Sequence, residues 1–383
     1  MHGHRLTRRG FLGIATGAGL AGLASPSFPL KWVPEGGTVD AIPVGHEYRQ
    51  DDLPSIAMAP DGTVWVAWLS FDGSRDDIAL RFYKSGEWEN LQWVPATSGD
   101  SWLPQVAVDT ANRVWVVWSQ QVDSHWGLYA RRFDPARQEW SALERWSRDP
   151  LPDINPRVWS DGKGRAAVVW QGFRGHSPPS KMASCNIFLR TLEDEKWSEE
   201  VRITHREAND WEPSVAMDSK GTVWVAYDSY KNAHYDVFLI PVQGGRVGEE
   251  MTVAGTPRFD ARATLAVDPL DRVWVAWESG HAHWGKDQGR ILGKRGEGVP
   301  LGGFREPQIR CYEGGKWLEP QAPLAGVFGG ADTYQPHVFS DGTGSVWVVA
   351  KVRKFATHRP PCRKRRRSGK GGYRGHWATG SIG

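Results

Sequence analysis

The sequence predicts an all-β fold, a β-propeller of six or seven four-stranded blades, with six favoured and the last blade incomplete. Three observations predict this fold. A Val-Trp-Val-Ala-Trp strand motif recurs about every 50 residues, a period typical of propeller blades. Each copy is apolar at odd and even positions, which indicates a strand buried on both faces. A D-x-x-G turn precedes most copies. The second residue of the motif lies at Trp65, Trp115, Ala167, Trp224, Trp274 and Trp347.

The turn before each strand motif is interpreted as a hairpin between the two inner strands of a blade. Its Asp can accept hydrogen bonds from backbone N–H groups two residues on, and the Gly or Asn that follows tolerates positive φ. Blade one departs from the pattern, with Ala59 in the Asp place. We therefore predict a structural role for the turn Asp residues, which are Asp109, Asp161, Asp218, Asp268 and Asp341.

The spacing of the repeats predicts where the ring is irregular. The longest interval precedes Trp347, and we assign its extra residues, 285–308, to a long loop between the second and third strands of blade five. Blade six stops after Val349, so its third strand is missing unless the C-terminal tail supplies it. Residues 29–34 resemble the outer strand at residues 91–95, and we expect them to form the outer strand of the last blade.

The chain divides into three segments. Residues 1–24 match a twin-arginine export signal, since Arg8 and Arg9 precede Phe11 and a weakly apolar Gly/Ala-rich run. Residues 25–350 form the propeller. Residues 351–383 are a basic tail that we expect to be disordered, and its abrupt change of composition favours a frameshift. The protein is expected in the periplasm or secreted from a bacterium, with no membrane span after signal removal.

The charge of the propeller excludes some partners. The whole chain carries a formal +3, but the tail holds 11 Lys and Arg and the signal three, which leaves 33 basic against 44 acidic residues in the body. A negative body does not attract nucleic acid, so no nucleic-acid partner is expected. We expect a glycan or a protein as the ligand, and a monomer.

The predicted ligand face carries the entry to each inner strand and the loop after each Val-Trp-Val-Ala-Trp strand. Aromatic rings there could stack on sugars while carboxylates and guanidinium groups bind hydroxyls. An alternative is that the repeated Asp and Trp only cap the junctions between blades. The entry segments supply Asp51, Asp100, Trp102, Asp153, Asp210, Trp211, Asp260, Arg262, Asp332 and Tyr334. The loops supply Trp126, Arg174, His176, Tyr230, His234, His281, His283 and Trp284.

One of these loops contains a possible set of metal ligands. His281 and His283, with Asp287 and Glu278 nearby, could bind a metal through alternate side chains of an extended segment. Loop histidines without such spacing elsewhere usually face solvent. We therefore expect no metal and no cofactor.

The repeated P-x-V-A-x-D-x-x-G-x-V-W-V-A-W segments over residues 50–350 resemble the sialidase-like, BNR/Asp-box superfamily of secreted propellers, and especially those exported by the twin-arginine pathway. The resemblance implies the propeller fold. The chain has no Arg-Ile-Pro element of the kind that sialidases carry, so it does not imply sialidase chemistry. Some similar proteins continue into a C-terminal hydrolase-like domain, so we expect this chain to be the propeller part of a longer protein.

Two functions are compatible with this face. The first is a ligand-binding module that recognises a glycan or a protein. The second is a glycoside hydrolase or polysaccharide lyase whose acid and base come from the ring of Asp residues, with Tyr230, His234 and His281 eligible as a lyase base. Two convergent carboxylates and an Arg in one pocket would favour the enzyme.

Overall fold

The computed structural model describes most of the propeller. The described residues are 2–6, 27–28, 31–32, 43–45, 48–96, 99–147, 151–174, 184–193, 196–206, 208–231, 234–281, 305–328 and 332–352. Most of the predicted signal and of the basic tail lies outside these ranges, so both remain predictions. Among the described residues, no helix combines the length and the apolar character that crossing a membrane requires.

The described chain is built almost entirely from antiparallel strands. Three short strands come first: β1 (His2–Leu6), β2 (Ser27–Phe28) and β3 (Lys31–Trp32). Blade one contains β4 (Gln50–Met58), β5 (Val64–Phe71), β6 (Asp76–Lys84), β7 (Glu87–Trp88) and β8 (Gln92–Trp93). Blade two contains β9 (Ser101–Val108), β10 (Val114–Val122), β11 (His125–Asp134), β12 (Glu139–Trp140) and β13 (Glu144–Arg145).

The remaining blades repeat this plan. Blade three contains β14 (Asp153–Ser160), β15 (Ala166–Arg174), β16 (Ser184–Glu193), β17 (Lys196–Trp197) and β18 (Val201–Arg202). Blade four contains β19 (Asn209–Met217), β20 (Val223–Lys231), β21 (His234–Gln243), β22 (Arg246–Val247) and β23 (Met251–Ala254). Blade five contains β24 (Phe259–Val267), β25 (Val273–Gly280), β26 (Arg305–Glu313) and β27 (Lys316–Pro320), followed by helix α1 (Leu324–Val327). Blade six contains β28 (Thr333–Ser340) and β29 (Val346–Val352).

The strand pairing confirms the predicted β-propeller. In blades one to five, the first three strands pair in chain order. The short strands that follow form the outer edge, and they pair with the third strand. In blade five, β25 pairs directly with β26, which confirms that the insertion lies between the second and third strands. The third strand begins at Arg305, before the predicted start at Ile309, because the register with β25 extends to the pair Gly280 and Arg305.

Blade six is completed by residues from the start of the chain. Its strand order is β28, β29, β1 and β3. The outer strand β3 falls within residues 29–34, as predicted. The place of the third strand, for which the sequence offered no donor except the tail, is occupied by β1, because the free edge of β29 pairs with it.

The turn Asp residues have the structural role that the sequence predicts. In blade two, Asp109 Oδ1 accepts the backbone N–H groups of Ala111 (2.9 Å) and Arg113 (3.0 Å), and Asn112 has a positive φ of 58°. In blade five, Asp268 Oδ2 also accepts the indole N–H of Trp274 at 3.0 Å. The repeated motif therefore closes a hairpin and fixes the large aromatic residue that follows it.

Blade one and blade six each have one face whose side chains are exposed instead of packing on a neighbouring blade. On β4, Ser55 Oγ accepts the backbone N–H of Val106 and so faces blade two. Ile56 and Met58 point the opposite way and are exposed, Met58 by 68%. Met217, at the same position of β19, is only 4% exposed. On blade six, Phe339 is exposed and stacks with Trp347.

Within the described residues, these exposed side chains leave the junction between blades six and one open. The expected gap in blade six itself was wrong, because β1 occupies the place of the third strand. Elsewhere the apolar faces of neighbouring blades are buried against each other, for instance Val106 of blade two against blade one and Val338 of blade six against blade five. Two blade faces in water are the arrangement that favours aggregation.

The open face can be tested with a matched pair of substitutions. Met217→Ala removes a buried side chain and should lower the free energy of unfolding by about 2–5 kcal/mol. Met58→Ala removes an exposed one at the same strand position and should change it by no more than about 0.5 kcal/mol. Urea denaturation of both variants gives the two values. Equal losses would show that blade one is covered in solution.

Candidate functional site

A β-bulge recurs at one position in the inner strand of all six blades. There, two residues of the inner strand lie opposite a single residue of the second strand. The first bulge residue has a positive φ in every blade although it is never glycine, and a bulge of this kind re-aims its side chain. The six bulge residues, with φ between 43° and 57°, are Leu53, Leu103, Asn155, Glu212, Arg262 and Gln335.

Hydrogen bonds between blades hold three of these bulges. The backbone N–H of Glu212 donates to Gln171 Oε1 (2.9 Å), that of Arg262 to Asp228 Oδ1 (3.2 Å) and that of Gln335 to Glu278 Oε1 (2.6 Å). Each acceptor comes directly after the aromatic residue of the strand motif in the preceding blade. Because the acceptors are buried, each bond fixes the bulge residue and an acidic or amide side chain beside each other.

The bulges of blades three to five open into one cavity of about 310 Å³, which we call the axial cavity. It combines aromatic rings with carboxylates, an amide and a guanidinium group, a lining typical of small polar ligands. The residues that line it are Ile154, Asn155, Gln171, Trp211, Glu212, Asp228, Tyr235, Phe259, Ala261 and Arg262.

Arg262 is held between two carboxylates. Its Nη1 lies 3.2 Å from Glu278 Oε2, and its Nε lies 3.8 Å from Glu212 Oε2. Burial alone would lower the pKa of Arg262, but the charges of Glu278 and Glu212 outweigh it and raise that pKa. Glu278 is fully buried and also lies 3.8 Å from Arg305. The guanidinium group of Arg262 is therefore a fixed, already compensated positive charge.

Asp228 and Glu212 are two carboxyl groups in unlike surroundings. Burial raises the pKa of Asp228 well above its usual range, and the charge of Glu212 raises it further. Folding therefore shifts Asp228 toward its protonated form. The Glu212 side chain is about two-fifths exposed and reaches the mouth of the cavity. A buried acid beside an accessible carboxylate is the division of roles that acid–base catalysis uses.

The structure brings two of the predicted site residues into the axial cavity, Trp211 and Arg262. Among the predicted Asp residues, Asp153, Asp210, Asp260 and Asp332 are buried. Asp153 accepts the indole N–H of Trp170 (3.0 Å), and Asp260 accepts that of Trp277 (3.0 Å). Each of these two carboxylates therefore fixes the start of the inner strand to the second strand of the same blade.

The other predicted residues lie around the cavity or beyond it. Asp51 accepts the hydroxyl of Ser70, Asp332 accepts the backbone N–H of Arg305, and Asp100 is exposed. Trp102 donates its indole N–H to Asn155, and Arg174 pairs with Asp153 and Glu200. Ligand binding by these groups stays a prediction.

The loop residues are spread over several blades. His234 Nδ1 lies 3.0 Å from Asp236 Oδ1, Tyr230 packs on Tyr235, and His281 is exposed. Trp126 is half-buried and Tyr334 lies at the start of β28. His176, His283 and Trp284 lie outside the described residues. Within the described part of the chain, no three His, Cys, Asp or Glu side chains converge to hold a metal ion.

Glu212, Asp228, Gln171 and Tyr235 were not predicted from the sequence, and Glu278 was considered only as a neighbour of the possible metal ligands His281 and His283. A signal for the first of them exists in the repeat. The bulge residue precedes Pro in five of the six blades and changes from Leu to Asn, Glu, Arg and Gln, while an Asp lies two or three residues before it in every blade. A repeat position that varies in chemistry is the one that the shared fold leaves free for function.

No protein family and no curated protein sequence matches the chain. Solved structures share its fold. A protein of unknown function from Dyadobacter fermentans has a TM-score of 0.51 at 11% identity, over 80% of this chain and 96% of that protein. An α-L-arabinanase from Penicillium chrysogenum, solved with arabinobiose, has a TM-score of 0.45 at 10% identity, over 79% and 93% of the two chains.

A third structure, an α-L-arabinofuranosidase from Fusarium graminearum with an iminosugar inhibitor, has a TM-score of 0.43 at 12% identity, over 80% of this chain and 94% of that protein. These similarities concern the fold alone. The resemblance to the sialidase-like superfamily stays a prediction.

The protonation of Asp228 gives a prediction for stability. Because its pKa is raised on folding, the folded state binds more protons than the unfolded state above about pH 4, and Asp228 lowers the stability progressively as the pH rises. Asp228→Asn keeps an acceptor for the N–H of Arg262 without the charge. In urea denaturation its free energy of unfolding should therefore increase relative to wild type as the pH rises above about 4.

The control is Asp341→Asn, at a turn. Burial opposes ionisation of Asp341, but hydrogen bonds from Trp347 and the turn outweigh it and lower its pKa. Its stabilising contribution is present above about pH 4 and is lost as the pH falls, so this variant should approach wild type only in acid. A pH-independent difference for Asp228→Asn would contradict a protonated Asp228.

Proposed function

We propose that the protein is a glycoside hydrolase that cleaves a neutral glycan in the axial cavity. The observation that carries the proposal is the pair formed by Asp228 and Glu212. One carboxyl is buried and has a raised pKa, the other is accessible, and both line a cavity that also contains the rings of Trp211 and Tyr235. Hydrolysis of a glycosidic bond needs one carboxylic acid and one carboxylate.

Each side chain has a role in this reaction. Asp228 donates a proton to the glycosidic oxygen as the bond to the sugar breaks. The carboxylate of Glu212 attacks the anomeric carbon or activates the water that does so, and the anomer released distinguishes these routes. Arg262 holds Glu212 through their 3.8 Å ion pair. Trp211 and Tyr235 offer surfaces for the sugar ring.

The charges of the cavity favour a neutral sugar. Arg262 is the only cation among the described residues that line the axial cavity, and it is already paired with Glu278 and Glu212. A uronate would bring its carboxylate next to these two without a free cation to bind it. A polysaccharide lyase needs such a cation, so the geometry favours hydrolysis over elimination.

The pair formed by Asp228 and Glu212 favours an enzyme over a ligand-binding module, which was the first of the two functions expected from the sequence. Recognition of a glycan needs stacking surfaces and hydrogen bonds only. A buried carboxyl whose ionisation is suppressed by a second carboxylate costs stability, and simple binding gives no use for it. Perturbed groups of this kind concentrate at sites of catalysis.

Export by the twin-arginine pathway is part of the proposal. It is supported by Arg8, Arg9 and the Gly/Ala-rich run that follows them. A hydrolase of glycan chains meets its substrate in the periplasm or outside the cell, where such a signal would deliver the folded propeller. Removal of residues 1–24 after transport would take β1 out of blade six.

The proposal is tested by incubating the purified protein with neutral glycans and with uronate-containing glycans in ¹⁸O-labelled water. We expect reducing ends that carry ¹⁸O from a neutral glycan. Glu212→Gln should lower the rate by about 10²- to 10⁴-fold, because the carboxylate that acts on the anomeric carbon is removed. Glu87→Gln, on the exposed outer strand of blade one, is the matched control and should keep the wild-type rate.

Three results would overturn the proposal. An unsaturated product without ¹⁸O would show a lyase. Tight binding of a glycan without any cleavage would show a binding module. Full activity of Glu212→Gln would show that the reaction takes place elsewhere on the propeller.

A further inference from the structure

A second cavity lies between blades one and two, beside the entry to the inner strand of blade two. It has a volume of about 680 Å³, and we call it the outer cavity. Its lining includes Arg49, Asp76, Asp77, Trp93 and Asp100. None of these residues takes part in the site described above.

Trp102 lies between the two cavities. Its indole N–H donates to Asn155 Oδ1 at 3.2 Å, and Asn155 lines the axial cavity. Asp100, two residues earlier, lines the outer cavity. Two residues of extended chain span about 7 Å, so Trp102 lies close to a lining residue of each cavity. Trp102 is 44% exposed although its indole N–H is anchored, so its ring is available to a ligand.

Trp93 gives the outer cavity an aromatic surface that is held in place. The guanidinium carbon of Arg49 lies 4.7 Å from the centre of the indole ring. Arg49 is itself fixed by Asp77 (2.7 Å) and by the hydroxyl of Ser70 (2.9 Å). Trp93 remains 40% exposed. A rigid, exposed indole costs little conformational entropy when a flat apolar surface stacks on it.

The carboxylates of the outer cavity divide into two sets. Asp77 is neutralised by Arg49 and by Arg75 (3.1 Å). Asp76 and Asp100 have no hydrogen-bond or ion-pair partner for their carboxylates within the described part of the chain. They can accept hydrogen bonds from hydroxyl groups that lie over Trp93. Indole rings combined with free acceptors match the apolar faces and hydroxyls of sugars.

We propose that Trp102 and the outer cavity are further sugar-binding subsites, so that the substrate is a neutral oligosaccharide or polysaccharide chain that runs from the axial cavity across blades three and two to Trp93. This inference rests on the proposed function, because the chain is the substrate that the axial cavity cleaves. It assigns binding roles to Trp93, Trp102, Asp76 and Asp100.

The test measures binding instead of cleavage. The Glu212→Gln variant is titrated by calorimetry with neutral xylo-, arabino-, manno- and cello-oligosaccharides of about two to about eight units. We expect affinity for one series to rise with chain length. Trp93→Ala and Trp102→Ala, each added to Glu212→Gln, should lower the affinity for the long members by about 3- to 10-fold, as stacking energies of about 0.5–1.5 kcal/mol imply.

Phe339→Ala is the control, since Phe339 is an exposed aromatic residue on blade six outside both cavities. It should leave the length dependence unchanged. An affinity that does not depend on length, no binding of any series, or no effect of the Trp substitutions would overturn the inference. Length-dependent binding that Trp93 controls, together with no cleavage by the wild-type protein, would support the subsites and overturn the hydrolase.

Discussion

The site depends on one repeated constraint, the left-handed bulge of each inner strand, which in three blades is held by a hydrogen bond to the preceding blade. A residue other than glycine at positive φ costs about 1–2 kcal/mol. A hydrogen bond from its N–H to a carboxylate contributes about 1.5–3 kcal/mol and offsets this cost. The bond from Gln335 to Glu278 is of this kind. The bond from Arg262 to Asp228 has an acceptor whose neutral form is favoured by burial, and it contributes about 0.5–1.5 kcal/mol. The acidic residues at the axial cavity therefore also stabilise the fold.

This double role explains why chemistry is confined to one side of the ring. Blades one and two have Leu53 and Leu103 at the bulge, and the residue after the strand-motif aromatic is Leu69 or Ser119. Blades three to six have polar bulge residues. Where the acceptor is Asp228, the low polarity that strengthens the hydrogen bond also keeps the acid protonated. The same burial therefore serves the fold and prepares the reaction.

The fold could be predicted from the sequence more completely than the site. The Trp motif and Asp109-type turns repeat in sequence because they repeat in structure. Glu212 could be recognised only as a position before Pro that varies between blades, because the positive φ of the bulge has no sequence motif of its own. Asp228 and Arg262 are 34 residues apart and meet only through blade packing. The predicted Asp260 has the correct position but holds Trp277 instead of facing the cavity. The pairing of β1 with β29 has no sequence motif.

The central claim is that Asp228 acts as the acid of a glycosidase, and one comparison of rates tests it most directly. Wild type and Asp228→Asn are assayed on two glycosides of the sugar that the enzyme releases, one with an alkyl and one with a nitrophenyl leaving group. A nitrophenolate leaves without protonation, so the variant should lose about 10²- to 10⁴-fold on the alkyl glycoside and little on the nitrophenyl glycoside. Equal losses on both would show that Asp228 has a structural role only and would contradict the account.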